Sequence, residues 1–157
     1  MNTQVKTSSL SLYKYNPDSQ VHKDFVELMT SEDSLADQVG DVKKKLKEFS
    51  MLSLPGQLWN GAFLVGNEDE LVGYVYLFRH SFSTRIAMMN YAVTQNLRGQ
   101  GYGKMLVKEI SDYIFFSQKV IDNIILIINS NNVNSIGAAE FGGFTKEGGF
   151  YVKSRGV

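Results

Sequence analysis

The chain has 157 residues, and its 16 basic side chains balance 16 acidic ones, which argues against a dedicated nucleic-acid partner. With 43% hydrophobic and 12% aromatic residues it is a globular chain rather than a disordered one, read as a single domain over residues 1–157. It contains no cysteine, which excludes disulfides, a cysteine nucleophile and a thiolate zinc site, and two histidines, His22 and His80, are too few for most metal centres. The polar start holds no apolar leader, and the longest apolar run, Ile124 to Ile128, is far too short to span a membrane. A cytoplasmic protein with neither a metal nor a membrane partner is expected.

Ser9 to Tyr15 alternates Leu10 and Leu12 with Ser9, Ser11 and Tyr13, a strand pattern. Pro17-Asp18-Ser19 then stops the strand and can cap a helix whose face is Val21, Phe25, Leu28 and Met29. A second amphipathic helix carries Val39, Val42, Leu46 and Phe49, with Lys43 to Lys45 and Lys47 as its solvated side. Met51 to Asn60, which includes Trp59, reads as a loop. Gly61 to Gly66, Leu71 to Phe78 and Arg85 to Val93 read as an antiparallel meander. The middle strand is apolar on both faces, as expected for a strand covered by helices on each side. A hairpin turn near Phe82 or Ser83 sets Tyr91 opposite Tyr74 and Met89 opposite Tyr76, which stacks three tyrosines on one sheet face. That turn leaves His80 at the far end of the hairpin.

Met88 to Val107 is the most informative stretch. A strand-like run ends at Val93, three glycines alternate at Gly99, Gly101 and Gly103, and a helical face follows at Leu106, Ile110, Tyr113, Ile114 and Ser117. Glycines at a strand-to-helix junction let a ligand approach the unbonded N–H groups and positive dipole end of the helix, which suits a phosphate or pyrophosphate. Arg98 and Lys104 add charge. The spacing excludes a Walker loop, because three residues separate Gly99 from Gly103 and Met105 stands where a magnesium-binding hydroxyl belongs. It also departs from the dinucleotide fingerprint, since the glycines read Gly-x-Gly-x-Gly. Downstream, Ile124 to Ile128 reads as a buried central strand. Val133 to Phe141 reads as a short helix stopped by Gly142-Gly143, and Phe144 to Lys146 with Phe150 to Lys153 as a last hairpin.

Arg98-Gly99-Gln100-Gly101-Tyr102-Gly103 resembles the acetyl-CoA loop of the GNAT N-acetyltransferase superfamily, Gln/Arg-x-x-Gly-x-Gly/Ala. The element order resembles that family too, as does the spacing from Asn132 to Gly143-Phe144, eleven and twelve residues on. The resemblance implies an α/β (α+β) fold, a mixed central sheet of about seven strands with helices on both faces. It implies acetyl-CoA as the acetyl-donor cosubstrate. The pantetheine arm would pair with the main chain around Tyr91, Ala92 and Val93. The pyrophosphate would lie on Arg98, Gly99, Gln100, Gly101, Tyr102, Gly103 and Lys104. Asn132 and Ser135 would contact the pantetheine from the next helix, although an asparagine there also suits an ordinary helix N-cap.

The catalytic residues do not transfer by motif. The family's helix tyrosine, the acid for the leaving thiolate, is replaced by Ala139, and the mid-strand glutamate has no counterpart in Ile86-Ala87-Met88-Met89-Asn90. Tyr91 is the first substitute and Tyr151 on the last hairpin is its rival. Packing in the core is the competing reading of each of these tyrosines. Two functions fit: an N-acetyltransferase acting on a small amine or a peptide amine, and an acyl-CoA-binding sensor or regulatory module of the same fold without turnover. The acceptor is not encoded. Glu32, Asp33 and Asp37 could attract a cation, but helix capping explains them as well. The oligomeric state is open, with a homodimer among the options.

Overall fold

The computed structural model describes residues 3–7, 9–31, 42–50, 61–128 and 133–156. The strands are β1 Thr3–Lys6, β2 Ser11–Lys14, β3 Gly61–Gly66, β4 Leu71–His80, β5 Ser83–Val93, β6 Asn123–Leu126, β7 Thr145–Glu147 and β8 Phe150–Ser154. They form one eight-stranded sheet in the order β1-β2-β3-β4-β5-β6-β8-β7. The described helices are α1 Gln20–Thr30, α2 Val42–Ser50, α3 Tyr102–Ser117 and α4 Val133–Phe141. Every strand pair is antiparallel except β5 with β6. A parallel pair needs a crossover connection, and α3 supplies it.

The sheet agrees with the expected count of about seven strands, and the strand beyond seven is β1. Thr3-Gln4-Val5-Lys6 has no apolar alternation, and its identity as a strand comes from pairing with β2. The expected second helix is present as α2, with Val42 and Leu46 buried, while Val39, the Met51 to Asn60 loop and the acidic trio Glu32, Asp33 and Asp37 lie outside the described residues.

Two hydrophobic cores lie on opposite faces of the sheet. The first joins Leu10, Leu12, Met89, Tyr91 and Val93 to Leu106 and Ile110 of α3 and Ala138 and Ala139 of α4. The second joins Tyr13, Leu64, Tyr74 and Ala92 to Phe25 and Met29 of α1 and Leu46 of α2. Each fully buried large aliphatic side chain contributes about 1.5–3 kcal/mol. β4 is buried on both faces from Leu71 to Val75, as its sequence predicts. β6 is not. Ile124 and Leu126 are buried, but Ile127 just beyond the strand is 39% exposed, because the second core ends at β5.

Ser19 caps α1 by accepting from the His22 N–H at 3.3 Å. The buried face of that helix is His22, Phe25, Val26 and Met29, whereas Val21 and Leu28 are exposed. The stripe is therefore rotated from the predicted one, and His22, a polar residue that hydropathy leaves out, belongs to it. The His22 Nδ1 accepts from the Asn16 N–H at 3.0 Å, which ties the end of β2 to the helix. Burial lowers the His22 pKa.

α3 is fixed to the rest of the molecule by charge as well as packing. The Glu109 carboxylate accepts from the Thr7 hydroxyl at 2.8 Å, the Ser9 N–H at 2.6 Å, the Leu10 N–H at 3.1 Å and the Ser9 hydroxyl. It thereby seats the β1–β2 turn on the helix. The buried Lys153 of β8 donates to Ser111 Oγ at 2.9 Å and Asp112 Oδ1 at 2.8 Å. Arg155 donates to the Phe115, Gln118 and Ile121 carbonyls, closing the C-terminal end of α3.

Burial would raise the Glu109 pKa, but the hydrogen bonds from Ser9, Thr7 and Leu10 outweigh it and hold the carboxyl below its ordinary value. A depressed carboxylate pKa adds stability that is fully present above the unfolded value, about 4.3, and is lost as pH falls through the folded value. Chemical denaturation across pH 3–7 should therefore show stability falling on acidification below about pH 4.5. Glu109→Gln should lower the neutral-pH stability by about 1–3 kcal/mol and flatten that acid limb. An unchanged limb would place the acid sensitivity elsewhere.

Candidate active site

The site is built where two neighbouring strands part. β5 and β6 pair from Ile86 with Asn123 to Met89 with Leu126, and the Ile127 N–H donates to the Met89 carbonyl at 3.0 Å. Beyond that bond β6 has ended, while β5 continues through Asn90 to Val93 paired with β4 only. Backbone groups of alternate residues face the same side of a strand. The amides of Tyr91 and Val93 therefore face the opening, as the amide of Met89 faces β6. The Arg98 side chain reaches back into this opening, its Nε donating to the Val93 carbonyl at 3.1 Å.

A 3-10 turn, Gln95–Leu97, leads from β5 into the glycine segment. Gly99 has φ 81° and Gly101 φ 88°, a left-handed backbone that other residues adopt only with strain. Gly101 is the N-cap of α3, and the Met105 N–H donates to its carbonyl at 3.1 Å. The N–H groups of Tyr102, Gly103 and Lys104 precede that bond and lie at the positive end of the helix. Gly103 is helical and has room for a side-chain carbon. A Cβ there would stand 3.9 Å from the Tyr91 hydroxyl and from Ala138 Cβ.

A cavity of about 310 Å³ occupies the junction, lined by Tyr91, Ala92, Val93, Arg98, Gly99, Gly101, Gly103, Lys104 and Ser135, together with Leu97 and Ala138. The first nine are residues the sequence singles out. Leu97 and Ala138 are not, although Leu97 precedes the motif and Ala138 sits three residues after Ser135 on α4, the position one turn on. Gln100 and Tyr102 do not line it. The Gln100 Nε2 donates to the Asn96 carbonyl at 3.5 Å and the Tyr102 hydroxyl to Glu70 Oε1 at 3.4 Å. Asn132 lies outside the described residues. Tyr151 pairs with Leu126 on β8 and packs against the first core rather than lining the cavity.

The expected tyrosine stack does not form. Tyr91 stands opposite Val75, Tyr74 opposite Ala92, and Tyr76 opposite Asn90. Between Arg79 and His80 the partner on β5 jumps from Ala87 to Ser83, so three extra residues of β5 lie at this irregularity and the pairing beyond it is one residue off the expected register, a slip that exchanges the faces of a strand. Tyr91 therefore faces α3 and α4, while Tyr74 and Tyr76 belong to the opposite core. Among the described residues Tyr91 is thus the only tyrosine that lines the cavity. It is 8% exposed. Burial raises its pKa, opposed by a hydrogen bond with the Ser135 hydroxyl, so the phenol holds its proton at neutral pH. Ala139, where the family's tyrosine would stand, is fully buried.

The arrangement offers an open strand edge, a helix N-terminus with two cationic side chains, and a buried phenol–hydroxyl pair. The model of the acetyltransferase (GNAT) family matches residues 25–144, and the chain belongs to that family. Its fold is that of a GNAT acetyltransferase from Bacillus anthracis, with a TM-score of 0.70 at 16% identity over 96% of this chain and 97% of that one. An aminoglycoside acetyltransferase in complex with coenzyme A aligns with a TM-score of 0.69 at 16% identity over 94% of both chains. A ribosomal-protein alpha-N acetyltransferase in complex with coenzyme A aligns at 0.70 and 15% identity over 98% of both. None of the curated proteins matches the sequence significantly. Among the described residues no helix is long and apolar enough to cross a membrane.

The glycines divide by cause. Gly99→Ala and Gly101→Ala should each lower stability by about 1–2 kcal/mol, because alanine is strained at their φ although nothing lies within 4 Å of the added carbon. Gly103→Ala should leave stability unchanged or raised, since its backbone is helical. Urea midpoints of the three variants check this, and an equal loss at Gly103 would contradict it.

Proposed function

We propose that this protein is an acetyl-CoA-dependent N-acetyltransferase that moves an acetyl group to a primary amine, either a small amine or a peptide amine, in the cytoplasm. The observation that carries the reading is the coincidence in one cavity of the unpaired edge of β5 with the glycine-lined start of α3. In this reading the pantetheine arm adds to the edge as a short strand, using the amides of Tyr91 and Val93. The pyrophosphate rests on the N–H groups at the start of α3, with Lys104 beside it. Arg98, already bonded to Val93, fixes the loop against the strand. The coenzyme A complexes of proteins with this fold support the assignment.

The reaction is direct transfer. The acceptor nitrogen attacks the thioester carbonyl, the C–S bond breaks, the amine loses a proton and the departing sulfur gains one. An amine of pKa about 10.4 is neutral only about once in 2500 at pH 7, a cost of roughly 4.6 kcal/mol that desolvation or a base must offset. Tyr91, hydrogen-bonded to Ser135, is the proposed donor to the sulfur. Ala139 supports a second reading, an acyl-CoA-binding module without turnover. Amine-dependent release of coenzyme A across an amine library separates the two.

Acetyl-CoA at a hundredfold excess over its dissociation constant should stabilise the protein by roughly 2.7 kcal/mol, read as a raised melting temperature. No binding at millimolar ligand by calorimetry would remove both readings. Tyr91→Phe keeps the ring but removes the proton. Turnover should fall about 10²–10⁴-fold while acetyl-CoA affinity is nearly preserved. Tyr74→Phe and Tyr76→Phe, on the opposite face, should stay within a few fold of the parent. Undiminished turnover in Tyr91→Phe would transfer the role to water or to Tyr151.

A further inference from the structure

Phe141 ends α4 with its ring 58% exposed, although the segment around it is tightly fixed. The Phe144 N–H donates to the Ala139 carbonyl at 2.9 Å and the Gly143 N–H to the Glu140 carbonyl at 3.1 Å, with Gly143 at φ 94°. This pair of bonds is a Schellman closure, which holds the last helical residues rigidly. Phe144 turns into the core at 2% exposure, so Phe141 stays outside for a reason other than loose packing.

Exposed apolar side chains are common singly, and Phe82, Phe116 and Phe150 are also exposed. Two observations set Phe141 apart among the described residues. Ser135 and Ala138 line the cavity, and Phe141 is the next residue at the same three-residue step along α4. The ammonium of Lys104, itself a cavity-lining residue, sits 5.7 Å from the centre of the Phe141 ring. The ring therefore borders the cavity mouth, on the α4 side of the start of α3.

We infer that Phe141 is the platform for the adenine ring of the cofactor, with Lys104 bridging the platform and the pyrophosphate. The inference rests on the proposed use of acetyl-CoA. A coenzyme whose pantetheine lies along β5 and whose pyrophosphate lies on α3 carries its adenosine out of the cavity past the start of that helix. A purine offers a flat π-face, and a fixed, solvent-facing phenyl ring is the surface such a face stacks on. The nearby ammonium faces both the ring and the negative charge that the coenzyme brings.

Calorimetric titration of the full chain with coenzyme A and with 4′-phosphopantetheine, which lacks the adenosine, tests this. Phe141→Ala should weaken coenzyme A about 10-fold, within the range for removing one base-stacking aromatic, and leave 4′-phosphopantetheine unchanged. Phe141→Trp should bind coenzyme A at least as well as the parent. A Phe141→Ala protein that binds coenzyme A like the parent overturns the platform, and so does an equal loss for both ligands. Failure of the unaltered protein to bind coenzyme A at all would overturn the acetyl-CoA reading together with it.

Discussion

The functional half of this molecule depends on one interruption: parallel pairing between β5 and β6 stops at Met89 while β5 runs on to Val93. Continuing the ladder would have satisfied the amides of Tyr91 and Val93 and filled the cavity with protein. Buried main-chain groups without partners are costly, of the order of 1–3 kcal/mol each, so such an edge persists only if something else answers it. Here the Arg98 guanidinium answers the Val93 carbonyl from within the chain. In the proposed complex the rest of the edge is answered by the pantetheine arm.

An opening of this kind is useful only if its walls are fixed, and α3 is the wall that everything else holds. Its N-terminus lies at the cavity, and its middle is tied to the β1–β2 turn through Glu109. A turn later Ser111 and Asp112 bind Lys153 of β8, and its far end is closed by Arg155. The polar anchors lie on the middle and C-terminal half of the helix, away from the cavity. The end that faces the cavity starts instead at Gly101, which caps it in a left-handed conformation. Rigidity and access are thus separated along one element.

The sequence displays the local parts of this design and hides the long-range ones. The glycine spacing, the Ser19 cap and the alternation of the meander each depend on residues within a turn or two of one another, and all can be read without coordinates. The pairing of Tyr91 cannot. It depends on an irregularity opposite Arg79 and His80 at the far end of the β4–β5 hairpin, where three extra residues of β5 move Tyr91 to the opposite face from Tyr74. β1 is invisible for a related reason. Thr3 to Lys6 has no pattern of its own and becomes a strand because β2 offers it an edge and Glu109 holds the turn. The buried face of α1 is rotated from its apolar stripe because His22 pairs with a backbone N–H, a satisfaction that hydropathy does not register. The position of Tyr151 is equally non-local: it pairs with Leu126, the last residue of β6, and does not line the cavity.

The loss of the helix tyrosine and the presence of Tyr91 are two sides of one geometric fact. Ala139 is enclosed in the first core, whereas Tyr91 enters the cavity from the strand and meets Ser135 of the same α4 helix. In the proposed reaction this changes what the phenol can do. Burial raises its pKa beyond that of an ordinary phenol, which already holds its proton more tightly than an alkyl thiol, so complete transfer from a resting phenol to free thiolate would be uphill. The favourable course is a relay. The nitrogen that has attacked the thioester carries a surplus proton and is far more acidic than the free amine once bonded to the carbonyl carbon. A phenol that donates toward sulfur as the C–S bond lengthens, and is replenished from that nitrogen, ends the cycle as it began, with no net change of charge in a buried site. Ser135 then serves to aim the Tyr91 hydroxyl. In that proposal a proton carrier of the right reach matters more than a strong acid, and Tyr91 on β5 lines the cavity where Ala139 on α4 offers no proton.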